Sequence, residues 1–113
     1  MTEPTPNLPL LRKVLDHIDA HPEQWYQAEI AHGCGTAFCV AGWAVQFAGH
    51  ELTVDGWNDD ALDGDHTASV CDAASEALGI TRGEAQRLYA WNNDREAIQR
   101  AAEAIATRAG ERL

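Results

Sequence analysis

Between Lys13 and Arg82 the chain has neither lysine nor arginine. Twelve carboxylates fall inside that gap: Asp16, Asp19, Glu23, Glu29, Glu51, Asp55, Asp59, Asp60, Asp63, Asp65, Asp72 and Glu76. Their only cationic company in the same stretch is the five histidines, His17, His21, His32, His50 and His66. The remainder is nearly balanced, so the formal charge of −10 is carried by the middle of the chain. A field of that sign repels phosphate backbones and attracts basic protein surfaces, which argues against direct nucleic-acid binding. The same carboxylates also serve plain solubility. Long apolar runs are missing as well. The longest apolar block, residues 37–48, is a dozen residues interrupted by Gln46, too short for the roughly 18 that a membrane span requires. Met1 to Pro6 lacks the cationic start and apolar run of a secretory leader, so a cytoplasmic protein with reduced cysteines is expected. No internal repeat is found.

What is present suits one small domain. A chain of 113 residues can build one modest core, and 45% hydrophobic content with four tryptophans exceeds what disordered chains carry. Residues 1–6 are proline-rich and expected as a disordered tail, leaving 7–113 as a single helical domain. Asn7 can cap a helix from Leu8 to Ala20, with Leu10, Leu11, Val14, Leu15 and Ile18 at helical spacing. His21-Pro22 stops it, because a residue before proline avoids the helical region. One further turn over residues 22–25 folds Trp25 and Tyr26 onto the core. The apolar block 37–48 is predicted as a central helix, capped by Thr36, ended by Gly49 and apolar on all faces except Gln46, as for a helix enclosed by others. Leu52 and Val54 alternate weakly, consistent with a short strand, and residues 58–65 read as an acidic loop. Asp65 or Thr67 can cap a third helix ending at Gly79. Thr81 and Glu84 have capping-box spacing at the start of a fourth, and Asn93 to Glu96 repeats the device before a last helix that ends near Ala109.

Several residue groups invite chemistry. Cys34, Cys39, Cys71 and His32 are candidate zinc ligands, although Cys34 and Cys39 have four residues between them rather than a Cys-x-x-Cys knuckle. Calcium is suggested by Asp59, Asp60, Asp63 and Asp65, but with Gly64 at the sixth loop position the third falls on Ala61 and the twelfth on Val70, neither a ligand. Cys34 lies between two glycines before a helix start, where the dipole favours thiolate, and His50 or His66 with Asp59 or Asp72 would complete a catalytic set. Against that stands the small wall area of 113 helical residues. Trp43 is assigned to the core. Trp57, beside the acidic run, has the composition of an aromatic anchor with a charged rim.

The segments His21-Pro22-Glu23-Gln24-Trp25, Cys34 to Ala44 (Cys-Gly-Thr-Ala-Phe-Cys-Val-Ala-Gly-Trp-Ala) and Leu78-Gly79-Ile80-Thr81 with Asn92 and Asn93 carry a resemblance. In them the chain resembles a group of uncharacterised small proteins of actinobacteria and their phages that share a Cys-Gly-Thr-x-x-Cys-x-Ala-Gly-Trp-Ala motif. The resemblance spans most of the chain and implies a common fold and origin, with no activity attached.

The expectation is an all-α compact single domain of four to five helices around the central apolar helix at about 37–48, with room for one short β-hairpin. The expected function is that of a small acidic, non-enzymatic accessory or regulatory protein, in the light of the resemblance phage-derived. It would bind a partner protein with a basic surface, as an inhibitor or DNA mimic, through Trp57, Asp59, Asp60, Asp63 and Asp65. No cofactor and no membrane is expected, and a homodimer could complete burial of the central helix. The alternative is a zinc-binding structural module (Cys34, Cys39, His32, Cys71) or a small cysteine-dependent enzyme (Cys34, His50, His66).

Overall fold

A computed structural model of the protein describes residues 4–25, 39–54, 60–65, 69–90 and 92–113. The first helix, α1 (Leu8–Ala20), starts where its sequence says it should. The Asn7 side-chain oxygen accepts the Leu10 amide at 3.2 Å, which satisfies one of the free donors of the first turn. Leu8, Leu10, Leu11, Val14, Leu15 and Ile18 form its buried stripe. The expected extra turn follows as a single 3₁₀ turn, Pro22–Gln24, and Trp25 packs against the core.

The central helix is shorter than predicted. α2 spans Val40–Phe47, and Cys39 is its N-cap in extended conformation (φ −76°, ψ 178°), so no continuous helix runs from Ala37 to Ala48. The expected cap, Thr36, lies outside the described residues. An unbroken apolar run offered no marker for this boundary, since cysteine is not a usual capping residue. Val40, Ala41, Ala44 and Val45 are wholly buried, and α2 packs chiefly on α3 and α1. Its small residues Ala41, Gly42 and Ala44 permit that close approach. Enclosure is incomplete, however, because Trp43, Gln46 and Phe47 are only half-buried. Trp43 therefore sits at the edge of the core, its indole N–H donating to the Gln24 carbonyl at 2.8 Å.

Gly49 (φ 100°) turns the chain so that the His50 amide donates back to the Val45 carbonyl, and the chain enters a hairpin. β1 (Leu52–Val54) pairs antiparallel with β2 (Asp60–Leu62), in the register Leu52 to Leu62 and Val54 to Asp60. The predicted acidic loop 58–65 is thus in part a strand, with Ala61 and Leu62 buried.

α3 (Val70–Leu78) is capped by Ser69, not by Asp65 or Thr67. It ends at Gly79 in the left-handed region (φ 65°), where the Ile80 amide returns to the Ser75 carbonyl. α4 (Arg82–Leu88) opens with the predicted capping box: Thr81 Oγ1 accepts the Glu84 amide, and Glu84 Oε1 accepts the Thr81 amide. The cap of α5 (Arg95–Arg108) is Asp94, while Asn93 instead closes the end of α4 by donating to the carbonyls of Arg87 and Leu88.

The described residues thus form five α-helices and one two-stranded sheet that share one core, with α2 packed against α1, α3 and β1. The Cα radius of gyration is 13.3 Å, where a compact domain of this length should measure about 13 Å. Arg108 fastens the ends of several elements together. Its guanidinium donates to both carboxylate oxygens of Glu84 (2.7 and 2.8 Å), to the Gly79 carbonyl (3.1 Å) and to the Pro4 carbonyl (2.7 Å). Within the lead-in expected as a tail, Pro4 is thus bonded to α5. Among the described residues, no helix is long and apolar enough to cross a membrane.

Candidate functional site

Among the residues nominated for partner binding, Trp57 and Asp59 lie outside the described residues, as do Glu29 and Asp55. Asp60 is in β2, and Asp63 and Asp65 are exposed in the turn that follows it. Asp63 is turned toward the body of the protein. It occupies the left-handed region (φ 53°), which aspartate tolerates better than most residues. Its Oδ1 accepts the Glu51 amide at 2.8 Å, and its Oδ2 lies 2.7 Å from His50 Nδ1. An ionised carboxylate can only accept, so Nδ1 is the protonated nitrogen of that pair. The His50 hydrogen bond, then the Glu51 amide, hold the Asp63 carboxyl below its ordinary range.

The eight acidic side chains of the arginine- and lysine-free stretch that can be described here, Asp16, Asp19, Glu23, Glu51, Asp63, Asp65, Asp72 and Glu76, are all exposed. Asp19 is neutralised by a forked pair with Arg95 (2.7 and 2.9 Å), which lowers its pKa. Asp16, Glu51, Asp72 and Glu76 have no ion-pair partner among the described residues. Surface exposure of a carboxylate is ordinary; four with neither a lysine nor an arginine to match them among the described residues are less so.

A concave feature lies beside Glu76, one of these carboxylates. A groove of about 470 Å³ runs between the start of α1, the end of α2 and α3. Leu10, Phe47, Ala73 and Ala77 line it, with His50 and Glu76 also on its wall. Phe47 stacks on Trp43 (centroids 5.6 Å apart), His17 lies 4.2 Å from Trp43, and the Lys13 ammonium sits 4.9 Å from the Phe47 ring centre. The sequence reading missed this groove, because its walls come from three elements whose apolar positions all look like core. The one available signal was Glu76, which shares a helix face with Asp72 at i,i+4 and has no basic neighbour.

The cysteine chemistry considered from sequence is not assembled among the described residues. Cys34, His32 and His66 fall outside them. His50 pairs with Asp63 rather than with Asp59 or Asp72. Cys39 begins α2 and His50 follows its end, with the eight-residue helix, about 12 Å long, between them. Burial pushes the Cys39 thiol up to about 11, and burial followed by the Asp72 charge raises Cys71. Both shifts oppose the thiolate that nucleophiles and zinc sites use. Among the described residues no three His, Cys, Asp or Glu side chains gather as a metal site. Cys71 lines a second, more apolar groove of about 640 Å³ between α3 and α4, with Tyr89 and Ser75 beside it and Asp72 and Arg82 of opposite charge on its wall. Ser75 Oγ donates to the Cys71 carbonyl at 2.8 Å and lies 3.3 Å from the Tyr89 hydroxyl. Burial raises the Tyr89 phenol, which opposes the phenolate that a proton acceptor would need.

No protein-family model, curated protein sequence or solved structure matches the chain.

Proposed function

We propose that this protein is a small acidic accessory or regulatory module that acts by binding a partner protein with a basic surface. The observation that carries the reading is the exposed set of carboxylates in the lysine- and arginine-free stretch, four of which, Asp16, Glu51, Asp72 and Glu76, have no ion-pair partner among the described residues. Such a surface steers a basic partner into contact and rejects nucleic acid and acidic proteins. A nucleic-acid-binding protein, whose basic face is already shaped for phosphates, is the sharpest partner of that description. The resemblance to actinobacterial and phage proteins makes an inhibitor of a host protein one concrete form of it.

The test is capture from an actinobacterial lysate on the immobilised chain. A basic partner should be retained at about 50 mM salt and released by about 500 mM, where surface charges are screened within a few ångströms. A variant carrying Asp16→Asn, Glu51→Gln, Asp72→Asn and Glu76→Gln should keep its fold and lose the partner. Capture of nothing, or of a partner indifferent to both salt and the substitutions, would refute the reading.

A further inference from the structure

We propose that the groove between α1, α2 and α3 receives an arginine side chain of the basic partner; this rests on the function proposed above and gives it a specific docking point. The lining offers what that side chain needs in sequence along its length. Leu10, Phe47 and Ala77 present an apolar floor against which a three-methylene stem can lie. Glu76 stands on the wall, exposed and without an ion-pair partner among the described residues, and is free to take a guanidinium through two parallel hydrogen bonds.

The charges facing the groove favour a cation. From the hairpin, Asp63 is bonded to His50, which also lines the groove, and Glu51 is exposed next to His50 in the chain. From α1, Lys13 is the basic group nearby; its ammonium covers a face of the Phe47 ring and offsets part of the surrounding negative charge. Among the described residues, no lysine or arginine lines the groove itself. An apolar occupant would leave Glu76 unmatched in a partly dehydrated contact, and an acidic one would be repelled. Arginine fits better than lysine because its guanidinium is planar, weakly hydrated and able to pair with a carboxylate through two parallel hydrogen bonds.

The probe is a fluorescein-labelled oligo-arginine peptide, titrated into the full chain at physiological salt and followed by anisotropy and by amide chemical shifts. Binding should move the Phe47, Ala73, Glu76 and Ala77 amides first. Glu76→Gln, and Ala77→Leu, which fills the floor without changing charge, should each weaken binding by about three- to fivefold, the scale of one surface ion pair. Glu103→Gln, an equal charge loss on α5, should leave affinity within about twofold. An oligo-lysine peptide of the same length should bind more weakly. Saturable binding with shifts spread over all the carboxylates, and with Glu76→Gln no worse than Glu103→Gln, would overturn the groove while leaving the acidic-surface reading standing. Equal affinity for oligo-lysine would overturn the arginine assignment. No saturable binding of either peptide would overturn both.

Discussion

Replacing Arg108 with methionine keeps the stem and removes the guanidinium, and it should cost more stability than any surface ion pair of this protein. The side chain is 22% exposed and Glu84 13%, so the pair is neither open to water nor sealed from it. Breaking a fully buried pair by removing one partner costs about 3–5 kcal/mol, whereas an exposed pair is worth about 0–1 kcal/mol. The intermediate burial, with the carbonyls of Gly79 and Pro4 losing a donor at the same time, places the loss at about 2–3 kcal/mol. For a domain of this size that lowers Tm by roughly 10 °C. Urea denaturation followed by far-UV circular dichroism measures it directly, and a cycle with Glu84→Gln isolates the pair. The side-chain carbonyl that Glu84→Gln introduces can still accept the Thr81 amide, so the coupling of about 1.5–2 kcal/mol reports Arg108 rather than the helix cap. Acid should expose the same bond. Burial pushes the Glu84 carboxyl up, but the Arg108 hydrogen bond and the Thr81 amide outweigh it, and the group ends below its ordinary 4.5. A carboxyl depressed in the folded state contributes stability above its unfolded pKa and loses it as pH falls through the folded value. Stability should therefore drop below pH 4.5 less steeply in Glu84→Gln than in the parent. An Arg108→Met loss below about 0.5 kcal/mol with an unchanged denaturant slope would refute this account of how the helix ends are held.

Further outcomes follow from single residues. Gly79→Ala should destabilise by about 2 kcal/mol or more, because a methyl there adopts a left-handed φ and overlaps the Thr5 carbonyl; Gly83→Ala, inside α4 with open space around it, should instead stabilise by about 0.5 kcal/mol, and thermal melts of the two settle the contrast. In a Cys34→Ser background at neutral pH, Cys39 should react with a disulfide reagent only as the chain unfolds and Cys71 more slowly than free cysteine; native labelling of Cys39 at the free-thiol rate would contradict its burial. Asn7→Ala should cost about 1 kcal/mol by chemical denaturation, since the side chain caps α1 and its amide group reaches the Ala77 carbonyl.

The parts of the fold legible in the sequence are those decided within one turn of chain. Asn7 and the Thr81–Glu84 box act on amides three residues away, and the boundaries of α1 and α4 follow from them. Where three oxygen-bearing residues compete, as Asp65, Thr67 and Ser69 do before α3, local chemistry does not choose, and packing of Val70 and Ala74 against α2 sets the phase. β2 carries no strand signature in Asp-Ala-Leu; it exists because Leu62 meets Leu52 across the hairpin. Nothing local in the sequence marks Arg108, because its partners stand 24, 29 and 104 positions away. The acidity of the middle region was plain from composition. The groove beside Glu76 was not, since depth is a property of three elements meeting.

Two bonds lie close to the limits of the described chain: Arg108 to the Pro4 carbonyl, and Arg12 to the Arg112 carbonyl at 2.7 Å. The first and last described segments are therefore in contact through two arginines that point in opposite directions along the chain. A force applied between residues 4 and 112 would load those two side chains before it reached α2.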